Sequence, residues 1–340
     1  MKVSSRARLL SAIAALLFAV MMFGCAGGDD GPSFFRGKKV TIIVPHGPGG
    51  MDTYARAIAP YLQKYLPGSK VEIANDPGAG GLQGRNQVYA AAPDGLTLGF
   101  TTSAGTLLAE WAEQTGLRYK TADFAMIGRI NAEAHTMVVA PRTGFSSMGN
   151  IIRAGKIRMG FAGVSSDDYY IGMITMRLLG IQAEAHTQFT SSVDAGLACV
   201  RGEVDAILFA DSTVHPLITA KTAIPVVVFG ETRLGSIPAV PTIFEVTPAD
   251  KKELIKALVR IYGLERTLFA PPGLPPSRLK TLREALDRTI ADPEFQLGML
   301  AVQRPVSYLS GAETDALLKD VLAYKDDIAH HVLEIAQGAK

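Results

Sequence analysis

The sequence is poor in cysteine and in net charge. Two cysteines, Cys25 and Cys199, occur in 340 residues, and the formal net charge at pH 7 is +2. Cys199 lies in an apolar, helical-looking segment, so we interpret it as a buried and unreactive thiol. With Cys25 modified or lost during export, no internal disulfide can form. A nearly neutral chain also gives no electrostatic reason to bind nucleic acid or a membrane surface.

The motifs of common enzyme classes are absent as well. The chain contains no H-E-x-x-H, no C-x-x-C and no G-x-S-x-G segment. His330 and His331 are adjacent, and adjacent positions do not share one face of a helix. His135, His186 and His215 are scattered among apolar segments, so we interpret them as hydrogen-bonded structural residues. We therefore expect no catalytic site, no metal site and no cofactor.

The N-terminal segment predicts export. Residues 9–23 form an apolar run after a positively charged start, which is typical of a signal peptide and too short for a membrane span of about 20 residues. The following Gly24 and Cys25 resemble a bacterial lipobox. We predict a signal peptide over 1–24, a lipid on Cys25 and a tether over 25–36, which places the protein in the periplasm or on the outer face of the cell membrane. A signal peptide with an incidental cysteine is the alternative.

Removal of the signal peptide changes the charge balance slightly. Residues 1–24 contain one lysine, two arginines and no acid, so 31 basic and 32 acidic residues remain. The exported chain is therefore close to neutral.

Beyond the tether, strands and helices alternate. Strands are predicted over 40–44 and 71–74, each followed by a glycine-rich loop and then a helix. Glycine lets the backbone approach a ligand closely, and the helix behind it presents free N–H groups and a partial positive charge. The two loops, 45–50 and 77–81, therefore predict a site that binds an anionic small molecule through the main chain.

The chain length predicts two domains. About 310 residues remain after the signal peptide, which is more than one hydrophobic core usually serves. We predict a first domain over 37–134 plus 243–340 and a second over 135–242. Each is expected to be an α/β domain with a mostly parallel sheet flanked by helices. The two chain crossings would form a hinge, and a ligand would bind in the cleft between the domains.

A nucleotide site is the first alternative for the glycine loops. The first loop lacks the Lys-Ser/Thr ending of a P-loop, and Asp52 occupies the third glycine position of the dinucleotide fingerprint. Glu72 lies about twenty residues further on, where a ribose-binding acid would stand. An exported nucleotide- or cofactor-binding enzyme with a Rossmann-like first domain therefore stays open.

Five segments resemble, in order and spacing, those of the extracytoplasmic solute receptors of tripartite tricarboxylate transporters, the Bug-type binding proteins. The resemblance covers about residues 40–335 and implies a two-domain fold of the periplasmic-binding-protein type. It implies a monomeric receptor without enzymatic activity that closes on a carboxylate-bearing ligand and delivers it to integral membrane permease subunits. A sensory receptor is a further alternative. The matching segments are 44–52 (V-P-H-G-P-G-G-M-D), 77–81, 91–98, 236–242 and 269–273.

The resemblance also implies which residues form the two walls of the ligand site. The first wall would be His46, Gly47, Gly49, Gly50, Met51 and Asp52. The opposite wall would be Gly163, Val164, Ser165, Ser166, Asp167, Thr190, Ser191 and Asp211.

Some positions depart from the family pattern. His46 stands where an aromatic residue is common, and Asp76 where arginine is common. The loop of the second wall ends in two acids and two tyrosines, 167–170, instead of small polar residues. Asp167 is either a helix N-cap or, with Asp168, an acid facing the cleft, which would repel a plain dicarboxylate and favour an amino-acid-like ligand. The two tyrosines either line the site or belong to the core.

Overall fold

A computed structural model describes residues 31–338. The predicted signal peptide, the lipid on Cys25 and the start of the predicted tether lie outside the described residues. Within residues 31–338, no helix is both long and apolar enough to cross a membrane.

The first sheet has six strands in the order β11-β4-β10-β3-β1-β2. β1 pairs in parallel with β2 and β3, whereas β10 runs antiparallel between β3 and β4. The strands are β1 (Lys39–Val44), β2 (Lys70–Asn75), β3 (Thr97–Thr101), β4 (Ala125–Arg129), β10 (Thr267–Ala270) and β11 (Leu309–Ser310).

The second sheet has five strands in the order β7-β6-β8-β5-β9. β6 is parallel to β7 and β8, and β5 is antiparallel to β8 and β9. The strands are β5 (His135–Val139), β6 (Lys156–Gly160), β7 (Gln182–His186), β8 (Ala206–Ala210) and β9 (Ile224–Phe229).

Helices cover both sheets, and the predicted α/β class is confirmed. We call the half of the molecule built on each sheet the first and the second lobe. The first seven helices are α1 (Gly50–Tyr65), α2 (Leu82–Ala90), α3 (Ser103–Trp111), α4 (Met148–Ala154), α5 (Asp167–Leu178), α6 (Ser192–Arg201) and α7 (Asp211–Thr219). The later helices are α8 (Ile243–Val246), α9 (Lys252–Tyr262), α10 (Pro276–Ile290), α11 (Pro293–Ala301), α12 (Gly311–Leu322) and α13 (Lys325–Gly338).

The sheets are mixed rather than mostly parallel. The antiparallel strands include β5 and β10, and each is the first strand after the chain has crossed from one sheet to the other. Neighbouring parallel strands are joined by a helical crossover. A strand that the chain enters from the other sheet has no such connection, so it can run antiparallel to its neighbours. The first lobe takes strands from 39–129 and 267–310, and the second from 135–229. The exact domain boundaries at 134 and 242 stay a prediction.

Apolar residues at four-residue spacing predict one buried face of α1, and this face packs on the first sheet. Four residues at four-residue spacing are at most 1% exposed, and they share a core with alternate residues of β1. A period of four along the helix and of two along the strand brings both apolar faces together. The four residues are Tyr54, Ile58 and Leu62 in α1 and Leu66 directly after it.

The C-terminal segment differs from the sequence pattern, which predicts one long helix over 312–335. Two helices form instead, because α12 ends at Leu322 and α13 begins at Lys325. Asp326 and Asp327 lie in the first turn of α13, where negative charge stabilises a new N-terminus. α13 then contacts α3 of the first lobe and α5 of the second.

Candidate functional site

A cavity of about 70 Å³ lies between the two lobes. Ligand pockets usually measure about 300–1,000 Å³, so the described conformation is a closed one. The first lobe and the return crossing contribute His46, Gly47, Gly49, Gly50, Met51, Thr102, Glu265 and Arg266 to its lining. The second lobe contributes His135, Ala162, Asp167, Asp168, Ser191, Ser192, Phe209, Ala210 and Thr213.

The first glycine loop forms one wall and touches the other. The Gly47 N–H donates to the carbonyl of Thr190, at 3.0 Å. A Cβ at Gly49 would lie 3.2 Å from Cβ of Ser191, and one at Gly50 would lie 2.9 Å from Oγ1 of Thr213. These distances leave no room for a side chain, so glycine is needed where the lobes meet.

Helix N-termini converge on the cavity. α1 begins after Gly49, which offers no side-chain cap, and α6 begins after Ser191, whose Oγ accepts only from the N–H of Asp194. The N–H groups of a first helical turn have no partner within the helix. α1 and α6 therefore present N–H donors to the cavity from opposite lobes, and their first-turn acids, Asp52 and Asp194, do not line it.

Two other N-termini at the cavity are matched by the protein's own carboxylates. Asp167 and Asp168 lie in the first turn of α5. At α7, Glu133 accepts from the N–H of Ser212 at 2.8 Å and from its hydroxyl at 2.7 Å. Because Asp167 and Asp168 line the cavity while Asp52 and Asp194 do not, an anionic ligand is directed to α1 and α6 rather than to α5.

His46 is a neutral part of the wall. Its Nε2 lies 2.8 Å from Oγ1 of Thr101, and its carbonyl accepts from the side chain of Asn75 at 3.0 Å. Burial, and then the charge of Arg85, lowers the pKa of His46 to about 3. The imidazole is thus uncharged near neutral pH and adds no positive charge to the site.

Asp52 does not line the cavity. Its carboxylate accepts from the side-chain amide of Asn75 at 2.9 Å and from Nε of Arg56 at 2.8 Å. Because Asn75 ends β2 and also holds the His46 carbonyl, Asp52 ties the first glycine loop to its own sheet.

Both acids of α5 line the cavity. Ser166 takes the N-cap position, so Asp167 is the first helical residue, and its Oδ2 accepts from Oγ1 of Thr102 at 3.1 Å. Asp168 accepts from the N–H of Ala162, also at 3.1 Å. Burial raises the pKa of Asp167, and burial with the charge of Asp167 raises that of Asp168 to about 8. The following tyrosines, Tyr169 and Tyr170, are buried in the core.

A charge network occupies the two crossings. Arg266 Nη1 lies 3.0 Å from Glu133 and 2.9 Å from Glu265, and its guanidinium stacks 4.5 Å from the ring centre of Tyr54. Arg266 has a φ of +35°, an unusual left-handed conformation for a residue with a side chain. Burial raises the pKa of Glu265 to about 7, although Arg266 opposes the shift. The network places charged side chains at the segments that join the two lobes.

His135 faces Glu265 at the start of β5. Its Nε2 lies 3.4 Å from Oε1 of Glu265, and its ring stacks on Tyr262 at 3.7 Å between centres. Burial lowers the pKa of His135 to about 4, despite the opposing charge of Asp167. Burial, with Asp167, Asp168 and Glu265, raises the pKa of the Tyr262 hydroxyl.

The second glycine loop contacts the second lobe outside the cavity. The Ser165 hydroxyl donates to the carbonyl of Gly80, and Arg85 Nη1 donates to the carbonyl of Ser165 at 3.1 Å. A Cβ at Gly163 would lie 2.9 Å from Cα of Gly80. The second loop therefore seals the lobes together beside the cavity.

The remaining predicted site residues do not line the cavity either. Gly163, Val164 and Ser165 pack against the second glycine loop, and the Thr190 carbonyl binds Gly47. Asp211 accepts from Oγ1 of Thr136 at 2.8 Å. The Ser166 hydroxyl donates to the carbonyl of Gly163 at 2.7 Å.

The sequence pattern did not indicate several lining residues: Thr102, His135, Phe209, Ala210, Thr213, Glu265 and Arg266. Glu265 and Arg266 carry one local signal, since two opposite charges directly precede an all-buried strand. Thr102 likewise stands as a cap residue between a strand and a helix. The others had no signal, because their proximity depends on how the lobes meet.

Two α/β lobes that close over a cavity lined by helix N-termini define a periplasmic-type binding protein. The family model described as "Tripartite tricarboxylate transporter family receptor" matches residues 54–332, and the chain belongs to that family. A UPF0065 protein of Pseudomonas sp. (strain P51) is 24% identical over 305 residues, covering 86% of this chain and 88% of its own. A UPF0065 protein of Agrobacterium vitis is 28% identical over 294 residues, covering 83% and 79%.

Solved structures show the same fold. MatC from Rhodopseudomonas palustris, with bound malate, has a TM-score of 0.71 at 22% identity and covers 86% of this chain and 99% of its own. An R. palustris protein with adipate has a TM-score of 0.70 at 19% identity, covering 87% and 97%.

Proposed function

We propose that this protein is an extracytoplasmic receptor that closes on a small carboxylate-bearing solute and delivers it to a tripartite tricarboxylate-type membrane transporter. The observation that carries the proposal is the pair of helix N-termini, α1 and α6, that line the cavity from opposite lobes. Family membership and relatives with bound malate or adipate support it.

The two N-termini form a carboxylate clamp with one half on each lobe. Each contributes N–H groups and the positive end of a helix dipole, and each such interaction is worth about 0.3–1 kcal/mol at a surface and up to about 2 kcal/mol when partly buried. Because the halves meet only when the lobes close, a bound carboxylate stabilises the closed state.

The acids of the cavity demand a positive charge beside that carboxylate. Asp167 and Asp168 line the same small cavity, and within residues 31–338 neither forms a salt bridge. Burial keeps the pKa of both acids high, and an ammonium group beside them would favour their ionised form, whereas a dianion would oppose it. An amino-acid-like solute brings a carboxylate for the clamp and an ammonium group for the acids, so we expect such solutes to bind better than plain dicarboxylates to the metal-free receptor.

Binding requires opening and reclosure. A cavity of about 70 Å³ cannot take up a solute without the lobes separating. The two crossings, at 130–134 and 263–266, are the segments that can change conformation while each sheet stays intact. The closed state then presents the combined surface of both lobes to the permease, and a lipid on Cys25 would hold the receptor at the membrane.

Thermal unfolding with a matched pair of solutes tests the binding function. Malate and aspartate differ only in a hydroxyl or an ammonium group, and a solute at 100 times its Kd adds about 2.7 kcal/mol of stability. We expect stabilisation of the metal-free protein by aspartate and a smaller effect of malate. No stabilisation by aspartate, malate, adipate or citrate would refute a carboxylate receptor.

A blocked clamp is the matching variant. Gly50→Val places methyl groups against Thr213, whereas Gly298→Val adds them to a helix surface with no atom nearby. Gly50→Val should abolish solute stabilisation and Gly298→Val should keep it. Uptake of the identified solute by cells lacking the receptor gene or the permease genes would then separate transport from sensing.

A further inference from the structure

The cavity contains three potential metal ligands from distant parts of the chain. His135 begins β5, Asp167 begins α5, and Glu265 ends the return crossing. One ligand atom of each lies within 4.8 Å of the other two, and all three side chains are buried. We propose that His135, Asp167 and Glu265 form a binding site for a divalent transition-metal ion that is bound together with the carboxylate solute.

One of the three separations between ligand atoms favours a metal ion over an ammonium group. Nε2 of His135 and Oε1 of Glu265 are 3.4 Å apart. Two ligands of a tetrahedral ion at about 2.0–2.1 Å are about 3.3–3.4 Å apart. Two acceptors of one ammonium group, each at about 2.8 Å, are instead about 4.6 Å apart. The imidazole–carboxylate pair therefore has the separation of a chelating pair.

The two carboxylate ligands are held by neighbours. Oδ2 of Asp167 accepts from Thr102, and Oε2 of Glu265 accepts from Arg266 at 2.9 Å and from the N–H of Glu133 at 3.3 Å. Such supporting contacts orient metal ligands and leave one atom of each group for the ion.

The cluster of buried acids also suits a cation. Asp167, Asp168, Glu133 and Glu265 are close together, and Arg266 is in ion-pair contact with Glu133 and Glu265. Buried charges are normally paired or bound to metals. A divalent ion would neutralise the two carboxylates that contact it.

An independent sign of a missing partner is the hydroxyl of Tyr262. The side chain is 3% exposed, stacks on His135 and has no hydrogen-bond partner in the described structure. A buried hydroxyl normally has one. A metal-bound water beside His135 and the acids would supply an acceptor or donor at this place.

The nature of the ion follows from the donor set. One imidazole nitrogen and two carboxylate oxygens suit Zn²⁺, Co²⁺ or Mn²⁺ better than Ca²⁺ or Mg²⁺, which prefer oxygen alone. All three ligands line the cavity, so the open coordination positions face the space beside α1 and α6. Resting on the proposed function, the inference is that the ion and the two N-termini hold one carboxylate-bearing solute between them.

Direct titration of the metal-free protein tests the site. Zn²⁺ is titrated by calorimetry, and Co²⁺ by its visible absorption, which reports coordination geometry. We expect one ion per chain. Affinity should fall at least tenfold in Glu265→Gln and in Asp167→Asn, and about tenfold in Thr102→Val, which removes only the contact that orients Asp167.

A matched control separates the site from surface binding. His186→Gln removes a half-buried histidine that lies 3.1 Å from Glu184, a similar pair outside the cavity, and should leave the affinity unchanged. Unfolding midpoints in chelator show whether each variant is folded. No binding of either ion by the wild-type protein, or equal affinity in Glu265→Gln and Asp167→Asn, would overturn the proposal.

Solute binding with and without Zn²⁺ distinguishes this inference from the receptor function. The site predicts that Zn²⁺ strengthens the binding of malate at least tenfold. Aspartate bound equally with Zn²⁺ or chelator would identify the cation as the solute's own ammonium group, which overturns the metal site and leaves the receptor intact. Zn²⁺ bound to the wild-type protein, with no carboxylate stabilising it, would instead contradict the receptor function alone.

Discussion

The buried acids of the cleft predict an unusual dependence of stability on pH. Burial raises the pKa of Asp168 to about 8 and that of Glu265 to about 7. A folded-state pKa above the unfolded one means that the native protein keeps protons that the unfolded chain has already released. The stability from these groups is therefore complete at low pH and is lost as the pH rises through about 7 and 8.

Two histidines of the cleft act in the opposite sense at lower pH. Burial lowers the pKa of His46 to about 3 and that of His135 to about 4. Below about pH 6.5 the unfolded chain binds protons at these positions that the native protein does not bind. The contribution of these histidines to stability rises with pH and is complete above about 6.5. The acids therefore determine how the free energy of unfolding changes between about pH 6.5 and 8.5.

The size of the effect follows from proton linkage. The free energy of unfolding falls by up to about 1.4 kcal/mol for each pH unit between 6.5 and the pKa of Asp168, which gives a loss of about 2 kcal/mol. Glu265 adds a loss of less than about 1 kcal/mol. Urea unfolding of the protein free of metal and solute, repeated at several pH values, measures the free energy of unfolding.

A substitution assigns the slope to its source. Asp168→Asn should remove most of the loss between pH 6.5 and 8.5, whereas Asp250→Asn, at an exposed aspartate, should leave it unchanged. A free energy of unfolding that stays flat or rises over this range would refute the reasoning. So would an Asp168→Asn variant that keeps the wild-type slope.

Three further substitutions test the closure and the core. Gly163→Ala should weaken solute binding at least tenfold in calorimetry because its Cβ meets the second glycine loop, whereas Gly180→Ala, also at positive φ but in open space, should not. Arg266→Gln should lower the free energy of urea unfolding by about 3–5 kcal/mol because buried carboxylates lose their partner. Leu62→Ala should cost about 2–5 kcal/mol by the same assay, against less than about 0.5 kcal/mol for the exposed Leu297→Ala.

Each of these predictions has a contradicting result. Equal losses of affinity in Gly163→Ala and Gly180→Ala would assign the effect to backbone strain rather than to lobe contact. An Arg266→Gln variant as stable as the wild type would show that the buried ion pairs contribute no net stability. Equal costs for the two leucines would contradict the packing of α1 on the first sheet.

Local features of the fold could be predicted from the sequence because they depend on neighbouring residues. The apolar spacing in α1 placed Tyr54 and Leu62 in the core, and the glycines after β1 indicated a close backbone approach. The final helix pair shows the limit of this reasoning. Apolar periodicity continues through 312–335, but it does not show where Asp326 and Asp327 begin a second helix.

The acids of α5 show that a local sequence pattern does not determine which surroundings a side chain faces. An aspartate after Ser166 fits a helix N-terminus equally well whether it faces solvent or a ligand. Only the closed arrangement of the lobes brings Asp167 to Thr102 and places both acids in the cavity. The tyrosines beside them are buried instead, because helical geometry turns successive positions to different faces.

By itself, the sequence determined the strand–glycine loop–helix units, the helix N-termini that such units create and the likeness to a receptor family, since each is written in contiguous residues. The tertiary structure decided which N-termini line the cavity, that the second glycine loop seals the lobes, and that His135, Asp167 and Glu265 meet. Those three residues stand far apart in the chain, and the crossings between two sheets bring them together. No spacing along the chain encodes that distance.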